Sequence, residues 1–162
     1  MNGLAIARDF QPTMTESEYT AEVSAVLNQH SAEARARLAR LPGLLPENAK
    51  AMEITIFVDQ MGEGFLTVRV ALTGPDLHVL NKAIGEAAVL FETKMVKDEL
   101  VPPLPLMDPF EEEFAVEHAL ADCAVVWLVE VWEGVDRSGF RVPVSIVSHE
   151  GCGTKAPVKL LS

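Results

Sequence analysis

"AMEITIFVDQMGEGFLTVRVALT", residues 51–73, is the stretch whose reading decides the fold. Met52, Ile54, Ile56 and Val58 alternate with Glu53, Thr55 and Asp59, and Leu66, Val68, Val70 and Leu72 repeat the pattern beyond the turn-like QMGEG at 60–64. Successive side chains of a strand point to opposite faces, so both runs read as strands with one buried face, joined in a β-hairpin. A sheet with one apolar face needs something to cover it.

The flanking segments supply that cover. Upstream, Thr15 and Glu18 form a capping-box pair, and Tyr19, Val23, Val26, Leu27, His30, Ala34, Leu38 and Leu41 recur at helical spacing. This predicts a first helix from Glu16 to Leu41, with Arg35, Arg37 and Arg40 near its negative end and Pro42-Gly43 as its stop. Downstream, Gly74-Pro75 opens a second apolar stripe of Leu77, Leu80, Ile84, Ala87, Phe91 and Met95, read as helix two, weakened by Gly85.

VPPLPLMDP at 101–109 reads as a stiff linker, or as a polyproline ligand for an aromatic groove. Asp108, Pro109 and Glu111 then make a start signal for helix three, expected to reach Val135 and to be apolar nearly all round in its second half. Trp127 and Trp132 are read as buried there, and Cys123 as a small hydrophobe. RVPVSIVSH and KAPVKLL form a second hairpin, and Gly151 and Gly153 between them supply the positive φ that tight connections demand.

The order α-β-β-α-α-β-β predicts an α+β domain in which two antiparallel β-hairpins, joined in one four-stranded sheet, pack against three helices. Residues 1–14 are read as a flexible leader, with Met14 as an alternative start, and 15–162 as a single domain.

Charge is the most informative part of the composition. The net charge of −11 comes entirely from residues 98–136, which hold eleven acids and no Lys or Arg. Proteins that neutralise phosphates cluster their Lys and Arg, so nucleic acid and anionic membrane surfaces are excluded as expected partners and a basic protein is favoured. An acidic surface serving solubility alone is the competing reading. The longest apolar run, AVVWLVEVW at 124–132, is too short to span a bilayer. With no secretory pattern at the start and two cysteines in unlike contexts, the expectation is a reducing cytoplasm with free thiols.

Few residues suggest chemistry. Glu117, His118, Asp122, His149 and Cys152 are the catalytic candidates, because His118 and Asp122 share a helix face and His149-x-x-Cys152 has ligand-like spacing. The set is short of a zinc site, no nucleophile elbow or phosphate loop exists, and no metal or cofactor is expected. Glu113 and Glu117 lie near the apolar stripe of helix three, where a carboxylate could act as a general acid; exposure at the helix start is the competing reading.

Glu111, Glu112, Asp122, Glu130 and Glu133 are the candidates for binding a partner. In size, acidity and α+β content the chain resembles the small cytoplasmic inhibitors with which bacteria neutralise toxins, a resemblance of profile without a motif. Three expectations result: a non-catalytic, immunity-type binding protein for a basic partner; a small metal-assisted or acid/base enzyme; or an obligate homodimer of structural role that shares the apolar helix.

Overall fold

A computed structural model describes residues 14–59, 63–108 and 113–162. The alternating stretch forms β1 (Ala51–Val58) and β2 (Leu66–Thr73), antiparallel and paired from Ala51↔Thr73 to Val58↔Leu66. Met52, Ile54, Ile56, Leu66, Val68, Val70 and Leu72 all point into one core and are essentially inaccessible. Between the strands the Asp59 carboxylate accepts hydrogen bonds from the Glu63, Gly64 and Phe65 amides, which ties the connection down.

The covering layer consists of α1 (Glu16–Asn28), α2 (Ser31–Leu44) and α4 (Val116–Glu133), with a shorter α3 (Leu77–Ile84) beside β2. The capping box at Thr15 and Glu18 forms in both directions. As expected for the most apolar helix, α4 is the central element, packed on α1, α2, β1 and on β6 (Val144–Ser148). Trp127 and Trp132 are both buried, and the Trp127 indole donates to Ser31 Oγ at 2.9 Å. Burying each such side chain contributes roughly 1.5–3 kcal/mol, so most of the apolar surface of α4 is buried within one chain, with Val126 left exposed.

The sheet departs from expectation in two ways. It has five strands in the order β3-β2-β1-β6-β7, with β3 at Val89–Glu92 and β7 at Val158–Leu161, and it is mixed, because β1 and β6 run parallel. Each expected hairpin does form, β6 pairing antiparallel with β7. They join in parallel because α4 carries the chain back across the core face, and a parallel pair requires such a crossover. A separate two-stranded ribbon pairs β4 (Lys94–Val96) with β5 (Glu99–Val101).

Three helix expectations are corrected. A single helix from 16 to 41 would be about 39 Å long, whereas five strands span only about 24 Å. The helix therefore breaks at Gln29-His30 so that Tyr19, Val23 and Leu27 on α1, and Ala34, Leu38 and Leu41 on α2, all reach the core. Nor does Pro42 stop α2, which runs on to Leu44.

Helix two ends at Gly85, whose φ of 51° takes the chain out of helical geometry. A 3-10 turn over Gly85–Ala88 follows, and the β-branched and aromatic run at 89–92 becomes the edge strand beside β2. Leu80, Ile84, Ala87 and Phe91 are buried as the stripe implied, by an α-helix, a 3-10 turn and a strand instead of one helix, while Leu77 and Met95 are exposed. Beyond the reach of β3, the Asn81 amide takes a strand's place, accepting from Leu72 N and donating to Leu72 O.

Helix three starts at Val116, eight residues after Asp108, with Ala115 as its N-cap. The expected cap at Asp108 fails because the preceding segment is no free linker. Leu104 and Met107 are buried, and Met107 N bonds Glu63 O, fixing this stretch against the β1–β2 connection. Leu104 and Met107 are thereby committed to the core, while Leu106 is half-buried. Pro109 and Glu111 lie outside the described residues, as does the expected leader up to residue 13. Among the described residues no helix is long and apolar enough to cross a membrane.

Candidate functional site

The connection from β6 to β7 folds over the N-terminal half of α4, and this brings the catalytic candidates near one another. His118 and Asp122 sit one turn apart on α4 and face the loop. Asp122 Oδ1 accepts from Thr154 N at 2.7 Å and Lys155 N at 3.1 Å, while Oδ2 accepts from Thr154 Oγ1 at 2.8 Å. His118 Nδ1 accepts from Gly153 N at 2.7 Å, which requires that nitrogen to be unprotonated. Gly153, at φ 84°, lies so close to the helix that a Cβ there would come within 2.6 Å of Asp122 Oδ1.

These bonds define the chemistry. An acid/base pair needs a free nitrogen or carboxylate oxygen aimed at a substrate, and here Asp122 and the Nδ1 of His118 hold loop backbone. His118 Nε2 is 3.9 Å from Glu117 Oε1, and His149 Nε2 is 3.7 Å from Glu150 Oε1, so each histidine has a carboxylate beside it in sequence. The His149 ring packs on Phe57, with 5.0 Å between ring centroids. Cys152 is half-buried against the core's margin. Burial, with the Glu117 and Glu150 carboxylates nearby, pushes its thiol above the ordinary cysteine range. The nucleophilic thiolate is thus disfavoured there. Among the described residues no three His, Cys, Asp or Glu side chains converge so as to hold a metal ion.

Glu113 is exposed and precedes the helix, while Glu117 is half-buried in its first turn. Of the partner-binding candidates, Glu130 and Glu133 are exposed on the second half of α4. Asp122 is engaged by the loop, and Glu111 and Glu112 lie outside the described residues.

Sequence reasoning missed the contribution of α1. Reading 16–41 as one helix placed Arg35, Arg37 and Arg40 on the same element as Glu16, Glu18 and Glu22. The break at residues 29–30 assigns all three arginines to α2, leaving α1 without Lys or Arg. Since α1 packs along α4, Glu16, Glu18 and Glu22 join Glu117, Asp122, Glu130 and Glu133 on two adjacent helices that contain no basic residue but His118. The Asn-Gln-His run at 28–30, with two of the weaker helix formers flanking Gln29, is the signal that could have located the break.

A cleft of about 280 Å³ lies between the two helices, lined by Glu16, Thr20, Ser24, Asp122, Cys123 and Val126, with Ala119 and Lys155 completing it. Its apolar side is Ala119, Cys123 and the exposed Val126, and its carboxylates are Glu16 and Asp122. Cys123 is a free thiol pushed up to about 11, first by burial and then by the Asp122 and Glu16 charges, against a lowering hydrogen bond with Ser24. A larger cleft of about 460 Å³ between α2 and β3 contains Arg37, but that guanidinium already bonds the Val89 and Glu86 carbonyls and the Glu33 carboxylate.

The model of a family of unknown function, DUF6389, matches residues 14–162, and the chain belongs to that family. No curated protein and no solved structure matches it.

Proposed function

We propose that this is a small non-catalytic binding protein of the cytoplasm that engages a cationic protein segment along the α1–α4 helix pair. The observation that carries this reading is the pairing of two helices that hold seven carboxylates and no Lys or Arg, with a partly apolar cleft between them. A lysine or arginine side chain suits such a cleft: its methylene stem lies against Ala119, Cys123 and Val126 while its charge meets Glu16 and Asp122. Lys155, which lines the same cleft, is this chain's own example of a cation at that site.

The engagement of His118 and Asp122 by loop amides supports binding over catalysis. An immunity-type inhibitor of a basic toxin is the partner relationship that fits the chain's size and charge. Electrostatic steering accelerates such association and weakens with salt, because charges more than about 8–10 Å apart are screened at physiological ionic strength.

Capture of partners from source-cell lysate at low and high salt tests this, with a Glu130→Lys/Glu133→Lys variant run alongside. A basic protein retained at low salt by the native chain and lost with the double variant is the expected result. Retention of the same protein by both forms, indifferent to salt, would defeat the proposal.

A further inference from the structure

The main helices cover one face of the sheet; the other face is only partly covered among the described residues, with the His149 ring packed on Phe57 at one end. There the central strands present Thr55 and Phe57 from β1, Ala71 from β2 and Val147 from β6, interrupted by Glu53 and Arg69. Most of these side chains are half-buried and Arg69 is exposed. Lys159, opposite Ser145, adds one cation at the β7 edge. None of Glu53, Arg69 and Lys159 is in an ion pair among the described residues.

We propose that a second copy of the chain covers this face, sheet against sheet about a two-fold axis, with Glu53 of each copy paired to Arg69 of the other. Three observations carry it. The face is self-complementary: Thr55 pairs directly with Arg69 and Glu53 with Ala71, so Glu53 and Arg69 are diagonal neighbours at the sheet's centre. A two-fold axis between the sheets, crossing the Glu53–Arg69 line at its midpoint and perpendicular to it, sets each residue over its opposite charge, as an isologous contact requires.

Charge then explains why this face and not another. The molecule carries −11 overall, yet the open face holds two acids, Glu53 and Glu92, the latter paired with Lys94, against Arg69 and Lys159, and is close to neutral. Two copies meeting here avoid the repulsion of their acidic helices, which lie outward beyond the sheets.

The size is also sufficient. Five strands span about 24 Å, and the eight-residue β1 and β2 run about 26 Å. The projected area is on the order of 500 Å², and standing side chains raise the accessible area toward the ~800 Å² per partner of a standard interface. The inference holds whether or not the helix pair binds a cationic partner; if both hold, the dimer presents two acidic helix pairs on opposite outer surfaces.

Sedimentation equilibrium of the full chain at micromolar concentration is the test. Native protein sediments as a dimer, and Glu53→Arg or Arg69→Glu alone raises its dissociation constant at least about tenfold. The double variant Glu53→Arg/Arg69→Glu restores the constant to within about threefold of native. A native monomer, or a dimer indifferent to either single reversal, would overturn the proposal. Amide NMR shifts on dilution of the native chain need no variant: changes at 53–57, 67–71 and 145–147 support it, and changes confined to α1 and α4 refute it.

Discussion

Replacing Asp122 tests whether that carboxylate is a structural clasp. It accepts three hydrogen bonds from Thr154 and Lys155, at 2.7, 2.8 and 3.1 Å, and holds the β6–β7 connection on α4. A hydrogen bond to a charged group contributes roughly 1.5–3 kcal/mol when shielded. Thr154 and Lys155 are exposed, so water replaces part of each lost bond and about 1 kcal/mol apiece is the reasonable figure. Asp122→Ala is therefore expected to cost about 2–3 kcal/mol. Asp122→Asn, which keeps one accepting oxygen and turns an amide donor toward the loop's own donors, should cost about 1–2 kcal/mol. For a chain of this length the alanine variant lowers Tm by roughly 5–10 °C. Thermal and urea unfolding give the stability, and hydrogen exchange at Gly153, Thr154 and Lys155 reports the release of the loop. An unchanged Tm together with unchanged exchange at those amides would refute the clasp and return Asp122 to the list of groups available for chemistry.

Two neighbouring glycines should respond differently to the same substitution. Both have positive φ, 73° at Gly151 and 84° at Gly153, but only at Gly153 would a Cβ collide, with Asp122 Oδ1 at 2.6 Å and Ala121 Cβ at 3.1 Å. Gly151→Ala is expected to cost about 1–2 kcal/mol for its left-handed backbone alone, and Gly153→Ala at least about 1 kcal/mol more as the clasp is displaced; equal urea midpoints for the two variants would contradict this. The Cys123 thiol provides a pH test. Its folded pKa of about 11 lies above the ordinary value of 9.0, so the folded state keeps a proton that the unfolded chain releases first. The contribution is intact below about pH 9 and is lost as pH rises toward 11. The loss of native stability between pH 8 and 10.5 should be smaller in Cys123→Ala, whereas identical slopes would show that Cys123 plays no part.

The site was only partly legible for a definite reason. His118 and Asp122 are one helical turn apart, so their common face followed from periodicity. Apart from the Thr154 hydroxyl, their partners are backbone amides 32 to 35 residues distant, and backbone amides leave no signature in a sequence. The acidic surface was half read: the acids of α4 stood out as a run without bases, while those of α1 were masked by arginines that belong to the next helix.

By itself, the sequence determined the features governed by neighbours along the chain. Alternation over 51–73 is enough for the first hairpin and its buried face, Thr15 and Glu18 are enough for the start of α1, and an almost wholly apolar run is enough to make α4 central. Only the tertiary structure decided that α1 and α2 are two helices, that 89–92 is an edge strand, and that the hairpins join in parallel through β1 and β6. Helix length is limited by the width of the sheet beneath, an edge strand by the open hydrogen bonds of β2, and the parallel junction by the direction in which α4 returns the chain. Each of these depends on groups distant in sequence that meet only once the chain has folded.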